Sequence, residues 1–87
     1  MVSRKIVLVA YYNPDADCFT LEFLQYAINI DYERKEGKLV IKLPRVINTI
    51  FTEKGKEAIK EMLVDIARRR VAYPYEDIEV VEARDYD

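Results

Sequence analysis

TEKGKEAIKEMLVDIARRR, residues 52 to 70, has the pattern of one amphipathic helix, and the rest of the predicted fold is arranged around it. Thr52 can cap the first turn through its hydroxyl, and three consecutive arginines complement the negative end of the helix dipole. The apolar residues of this helix recur at three- and four-residue spacing and share one stripe: Ala58, Ile59, Met62, Leu63, Ile66 and Ala67. Because an apolar stripe needs an apolar layer to cover, the sequence predicts that the helix packs on a sheet.

The composition indicates one globular domain, residues 1–87, that needs neither metals nor disulfides to fold. Of the 87 residues, 51% are hydrophobic and 34% are charged, which is typical of a folded soluble chain. The single cysteine, Cys18, excludes an internal disulfide. Because the apolar stretches are too short for a membrane span or a signal peptide, we expect a cytoplasmic protein without membrane association.

The charged residues are unevenly distributed along the chain. The formal net charge is −2, but residues 73 to 87 contain six acidic residues against one arginine. An anionic partner would avoid that end, and the chain lacks the strongly basic character of a dedicated nucleic-acid-binding domain. The absence of His and Trp and the many Lys, Glu and Arg residues favour a thermophilic source.

The remaining segments predict strands and a second helix. Residues 4 to 12, RKIVLVAYY, are apolar on both alternating faces, which is typical of a central strand. Residues 14 to 29 fit two periods, and a helix explains more of them than a strand over residues 18 to 24 does. A hairpin over residues 30 to 43 turns at Gly37, and Ile78, Val80 and Val81 indicate a last strand.

This order of elements predicts an α+β fold, a βαββαβ ferredoxin-like two-layer sandwich. In that fold an antiparallel sheet carries two helices on one face. The alternative is an antiparallel meander with one long helix, residues 52 to 70. Residues 45 to 51 have no clear assignment in either arrangement, since they fit a strand extension and a single helical turn equally well.

One face of the predicted sheet has no helix to cover it. Strand alternation places a valine-rich group on that face: Val7, Val9, Tyr11, Val40 and Val81. Contiguous exposed apolar surface usually marks a partner surface, so we predict a homodimer, or a complex with another protein, formed through this face. The alternative is that the C-terminal tail or residues 45 to 51 fold over it.

The residue inventory favours a non-enzymatic protein without a cofactor. A chain with no histidine lacks the commonest general base and metal ligand, together with every Ser/His or Cys/His nucleophile pair. It also contains no glycine-rich phosphate loop and no cysteine-pair zinc motif. Cys18 lies beside Phe19, where a lone cysteine is typically a small buried hydrophobe.

Nucleic-acid binding is the second functional hypothesis. Arg68, Arg69 and Arg70 could bind phosphates, and Tyr73 and Tyr75 could stack on bases. Arginines at a helix C-terminus also complement the helix dipole without any ligand. The third predicted strand lacks the aromatic residues on which the RNA-recognition form of a ferredoxin-like sheet depends, which disfavours that form of binding.

A metal-dependent nuclease is the third and most distant hypothesis. Asp15 and Asp17 carry the oxygen ligands that Mg²⁺ prefers, and such a mechanism needs no histidine. Aspartates that follow Asn13-Pro14 are also ordinary turn and capping residues, which is the stronger interpretation.

Overall fold

The computed structural model describes residues 7–82, which form one five-stranded sheet and two helices. Neighbouring strands follow one another in chain order; β1 to β4 are antiparallel, whereas β5 runs parallel to β4. The predicted α+β class is therefore confirmed. The elements are β1 (Leu8–Asn13), β2 (Cys18–Phe23), β3 (Tyr26–Lys35), β4 (Lys38–Leu43), α1 (Arg45–Ile50), α2 (Glu53–Arg70) and β5 (Asp77–Glu82).

The predicted ferredoxin-like βαββαβ order is wrong, because both helices follow β4 instead of separating pairs of strands. The helix expected within residues 14 to 29 is absent, and residues 18 to 23 form β2. The break in alternation at Leu24 and Gln25 is the two-residue turn between β2 and β3. The first four strands form a meander, and α1 and α2 then connect β4 to β5.

β1 is an edge strand, not the central strand that its sequence predicts. It pairs with β2 on one side, and within residues 7–82 no strand pairs with its other side. Its second apolar face is exposed at Val9 and Tyr11. The central position belongs to β3, whose first half pairs with β2 and whose second half pairs with β4.

Three non-glycine residues in the turns have left-handed backbone conformations. Asp17 (φ 53°) precedes β2, Leu24 (φ 54°) begins the β2–β3 turn, and Glu36 (φ 48°) precedes Gly37 (φ 83°) in the β3–β4 turn. Gly37 therefore supplies the positive φ predicted for this hairpin. Aspartate tolerates this region, but leucine and glutamate adopt it at a cost in free energy.

α2 covers one face of the sheet with the predicted stripe. The Thr52 hydroxyl accepts a hydrogen bond from the Gly55 N–H at 3.1 Å, so the cap forms as expected. Ala58 is exposed, however, and Lys56 is buried in the first turns of the helix instead. The buried residues of the two layers are Phe19, Leu21, Phe23, Ile30, Leu39, Ile41 and Leu43 from the sheet, Ile47 from α1, and Ile59, Leu63, Ile66 and Ala67 from α2.

Ion pairs compensate the charge of the buried Lys56 side chain and link α2 to the end of β5. Its Nζ atom lies 2.8 Å from Glu53 Oε2 and 3.4 Å from Glu82 Oε1, and it donates a hydrogen bond to Asn48 Oδ1 at 2.7 Å. The Glu53 hydrogen bond outweighs desolvation and raises the pKa of Lys56. The buried charge is therefore fully paired, as a charge inside a protein must be.

Candidate interaction surface

The predicted interface residues lie on the sheet face opposite α2, but they do not form one continuous surface. Val7, Val9 and Tyr11 lie at the β1 edge, whereas Val40 and Val81 lie on β4 and β5. Between the two groups, β2 and β3 present a polar strip on the same face: Thr20, Glu22, Asn29, Asp31 and Glu33.

Hydrogen bonds and charges hold this polar strip in place. The Tyr11 hydroxyl donates to Glu22 Oε2 at 2.6 Å, and this bond raises the pKa of Tyr11. On the other half of the face, the cross-strand partners of Val40 are Glu33 and Glu79. Because glutamates flank Val40 on both sides, the apolar character of this face is concentrated at β1.

A further group of exposed apolar residues, none of which is among the predicted interface residues, adjoins β1. Leu24 and Tyr26 lie at the β2–β3 turn, while Val46 and Ile50 lie on α1. Together with the two exposed valines of the β1 end, they form what we call the apolar surface: Val7, Val9, Leu24, Tyr26, Val46 and Ile50.

Two shallow grooves make the apolar surface continuous, because both are lined by Phe23 and Leu24. The first, of about 370 Å³, has no charged side chain in its wall, and the second, of about 390 Å³, has one, Glu22. Beyond the two shared residues, the first is lined by Tyr26, Ala27, Ile28, Val46 and Ile50, and the second by Val7, Val9 and Glu22.

A signal for this surface was present in the sequence. Every side chain from Phe23 to Ile30 is uncharged, and so is every side chain from Val46 to Phe51. In a chain that is 34% charged, two such stretches are unusual for exposed segments. This signal does not by itself predict an exposed surface, because the first stretch also fits a helix and the second fits no single element.

Leu24 is the most unusual residue of the apolar surface. Its backbone is in the left-handed region (φ 54°), and its side chain is 72% exposed. A left-handed conformation costs a residue of this type about 1–2 kcal/mol, and an exposed side chain returns little of that through packing in the core. Leu24 also lines both grooves, so it lies at the centre of the candidate surface.

The residues predicted to bind nucleic acid lie at the end of α2 and in the turn that follows. Arg68 donates to the Glu76 carbonyl at 3.0 Å, and Arg69 donates to Asp65 Oδ2 at 2.9 Å. Arg70 has no ion pair within residues 7–82. The arginine cluster is therefore only partly available for an anionic ligand.

The two predicted base-stacking tyrosines stack on each other instead. The rings of Tyr73 and Tyr75 are 5.7 Å apart with an interplanar angle of 17°, and the Arg34 guanidinium lies 4.7 Å from the Tyr73 ring centre. Tyr75 remains 78% exposed. Nucleic-acid binding at this end of the molecule stays a prediction.

Glu76 is buried beneath this turn and holds it together. Its Oε1 accepts a hydrogen bond from the Tyr73 N–H at 2.9 Å, and its Oε2 lies 2.9 Å from Arg34 Nε. The Tyr73 N–H, and then the Arg34 charge, hold the pKa of Glu76 below its ordinary value. These contacts order the chain between α2 and β5, so Glu76, Arg34 and Tyr73 have a structural role there.

The two aspartates predicted as metal ligands lie in the β1–β2 turn. Asp17 Oδ1 accepts hydrogen bonds from the hydroxyls of Tyr12 at 2.5 Å and Tyr32 at 2.6 Å, which lower the pKa of Asp17. The Asp15 N–H donates to Asn13 Oδ1 at 3.1 Å, as in an ordinary turn. Among residues 7–82, no three acidic or cysteine side chains come together as a metal site, and the metal hypothesis stays a prediction.

Comparisons with other proteins do not assign this chain to a family. No protein-family model matches it, and neither does any curated protein or solved structure. Neither helix in the described part of the chain has the length and apolar character needed to span a membrane. The apolar surface is therefore the feature that bears most directly on function.

Proposed function

We propose that this protein is a small non-enzymatic interaction module that forms a homodimer through its apolar surface. The observation that carries the proposal is the continuity of that surface, in which two grooves meet at Phe23 and Leu24. Monomeric proteins seldom expose large contiguous apolar patches, and homodimer interfaces are more apolar than the rest of a protein surface.

The backbone conformation of Leu24 gives independent support. Full burial of a leucine side chain in an interface contributes about 1.5–3 kcal/mol, which can offset the cost of about 1–2 kcal/mol for its left-handed backbone. The cost is uncompensated in a monomer, where Leu24 is exposed. Association therefore gives a physical reason for a leucine in a turn position that suits asparagine or glycine better.

The charge distribution favours a second copy over a charged partner. Glu22 is the one charged side chain in the walls of the two grooves, and its carboxylate already accepts a hydrogen bond from Tyr11. The surface offers no charge pattern for recognition of an acidic or basic protein. Two copies that meet there bring together one acidic side chain from each, Glu22, in an otherwise uncharged contact.

Light-scattering mass over a range of concentrations tests the proposal. We expect a dimer whose stability changes little between low and moderate salt, because apolar association does not depend on counterion release. Ile50→Lys should give a monomer, whereas the matched control Tyr75→Lys should leave the dimer intact, since Tyr75 is an exposed apolar residue outside the apolar surface.

The same measurement separates the competing hypotheses. A monomer at every concentration would overturn the homodimer. A mixed-sequence oligonucleotide that binds at low salt and dissociates at higher salt would instead support the arginine cluster at the end of α2. In that case Arg70→Ala should weaken binding, because Arg70 has no ion pair within residues 7–82 that would hold it away from a phosphate.

A further inference from the structure

β1 is incompletely covered by its neighbours. None of its six residues is buried, whereas five of the six residues of β2 are buried. The helix-facing side chains of Leu8, Ala10 and Tyr12 pack against the core but remain partly accessible. Within residues 7–82, no strand pairs with the outer side of β1. This edge therefore presents backbone N–H and C=O groups that a further strand can bind.

The edge also lacks the features that usually protect an edge strand. Its sequence, LVAYYN, contains no charged residue and no proline, and its pairs with β2 are consecutive, without a bulge. The apolar surface reaches this part of the chain only at Val7 and Val9. Residues 10 to 13 of β1 therefore lie outside the apolar surface, and their outer edge is open to a different partner.

Two grooves adjoin residues 10 to 13 on the side that faces α2. Their volumes are about 260 Å³ and about 160 Å³, and they are adjacent because they share Ala10, Ile66 and Arg69. The other residues of their walls are Tyr11, Tyr12 and Arg70 in the larger groove, and Met62 and Asp65 in the smaller one. Because side chains alternate along a strand, a strand added to this edge would direct every second side chain towards these grooves.

The charges in the two grooves favour an acidic side chain. Their walls contain two arginines, Arg69 and Arg70, against one aspartate, Asp65. The Arg69 and Asp65 side chains are 66% and 67% exposed, so their ion pair at 2.9 Å contributes little and is easily exchanged. Arg70 has no ion pair within residues 7–82. A carboxylate that enters here can accept two parallel hydrogen bonds from a guanidinium.

The same charges oppose a second copy of β1 at this edge. Each copy would bring its own excess of one positive charge, and β1 has no acidic side chain to offset it. The nearby acidic residues of the β1–β2 turn, Asp15 and Asp17, follow Asn13. The acidic side chains of a partner therefore belong beside Ala10 and Tyr12, where the arginines lie.

We propose that the outer edge of residues 10 to 13 binds an extended acidic segment of a partner protein, which joins the five-stranded sheet as a further strand. Every second side chain of that segment is a carboxylate that faces Arg69 and Arg70. The intervening side chains lie beside Tyr11 on the opposite face, where β-branched residues pair well with an aromatic ring. Glu22 accepts a hydrogen bond from Tyr11 on that face and disfavours a carboxylate there.

Fluorescence anisotropy with synthetic peptides tests the charge requirement. The labelled peptide Val-Glu-Val-Glu-Val-Glu-Val-Glu should bind, and its counterpart with lysine in place of glutamate should have a Kd at least roughly tenfold higher. Arg70→Ala should raise the Kd of the glutamate peptide roughly fivefold, because it removes the uncompensated charge. The matched control Lys54→Ala removes an exposed positive charge from the other end of α2 and should leave the Kd unchanged. Absence of binding, or an equal Kd for the two peptides, would overturn the proposal.

N-methylated peptides test whether the segment binds as a strand. Successive N–H groups of a strand point to opposite edges, so N-methylation of the valines alone, or of the glutamates alone, blocks one edge of the peptide. We expect one of these two peptides to lose binding and the other to retain it. Retention by both would indicate ionic attraction without strand pairing, and loss by both would indicate that backbone pairing at one edge is not the determinant. Either result would overturn the proposal.

The Ile50→Lys variant separates this site from the proposed homodimer. It should dissociate the dimer and still bind the glutamate peptide with an unchanged Kd, because Ile50 lines neither groove beside Arg69. Loss of peptide binding in Ile50→Lys would place the peptide on the apolar surface and overturn the edge site. A protein that is monomeric at every concentration but binds the peptide would overturn the homodimer and support the edge site.

Discussion

β1 and β5, the two outermost strands of the sheet, have the same length but opposite character. Each is six residues long. β5 carries acidic side chains at Asp77, Glu79 and Glu82, whereas β1 carries no charge at all. Charged side chains on an edge strand oppose pairing with another chain, and an uncharged edge permits it. The difference favours the β1 side over the β5 side for the proposed association.

The two strands are also attached to α2 in different ways. Glu82 of β5 forms ion pairs with Lys56 at 3.4 Å and with Lys60 at 3.2 Å. β1 meets the helix through the half-buried side chains of Leu8, Ala10 and Tyr12, which pack against the core. Its outward-facing residues carry no such ion pairs, and they remain available for a partner.

The largest effect is expected from a substitution that disrupts the packing of the sheet on α2, a feature that β1 and β5 share. Leu63 is fully buried in that layer. Leu63→Ala should lower the free energy of unfolding by about 2–5 kcal/mol, because it removes buried apolar groups and leaves a cavity. Chemical denaturation measures the change. The exposed Glu61→Ala on the same helix should stay within about 0.5 kcal/mol of the parent protein, and an equal loss there would contradict this account of the core.

A charge added to β1 should oppose association at that edge, and a charge removed from β5 should permit association at the other edge. Val9→Lys places a charge at the β1 edge and should raise the dimer Kd roughly tenfold or more. Glu79→Val removes a charge from the β5 edge and should produce species larger than a dimer. Sedimentation velocity distinguishes the two outcomes. If Glu79→Val left the mass distribution unchanged, charge would not be what protects β5.

Protonation should loosen the turn that leads into β5. The folded-state pKa of Glu76 lies below its ordinary value of 4.5, so its stabilising effect is present above that pH and is lost as the pH falls through the lower folded pKa. Glu76→Gln should therefore have a lower Tm than the parent near neutral pH. The difference should narrow in acid, below pH 4.5.

Thermal unfolding followed by circular dichroism over a pH series measures this effect. Asp17 and Glu33 also have lowered pKa values, so they give both proteins a shared loss of stability in acid. A Tm difference that is constant across the pH series would contradict the role assigned to Glu76.

The smallest effects concern the two turns with left-handed residues. Leu24→Asn should raise the stability of the monomer by about 0.5–1 kcal/mol, since asparagine tolerates positive φ, yet it should weaken the dimer. Glu36→Asn is the matched control, because Glu36 has a similar backbone (φ 48°) far from the apolar surface. It should give a similar gain without weakening the dimer, as measured by denaturation and light scattering. An equal dimer Kd in both variants would show that Leu24 lies outside the interface.

Local signals in the sequence were sufficient for α2, the β3–β4 hairpin and the last strand. Thr52 caps α2, Gly37 turns the hairpin, and the alternation of Ile78 and Val80 places β5. Each of these signals acts between residues that are close in the chain. They could therefore be interpreted without knowledge of the rest of the fold.

The order of the strands and the neighbours of each strand depend on tertiary contacts. A period of two shows which residues share a face, but it does not show which strand lies beside another. The β2 segment also fits a helical period because the alternation of residues 19 to 23 breaks at Leu24 and Gln25, where the chain turns into β3. The edge position of β1 and the meeting of the β2–β3 turn with α1 likewise depend on contacts between distant parts of the chain. The apolar surface exists because packing brought Leu24 and Ile50 to one groove.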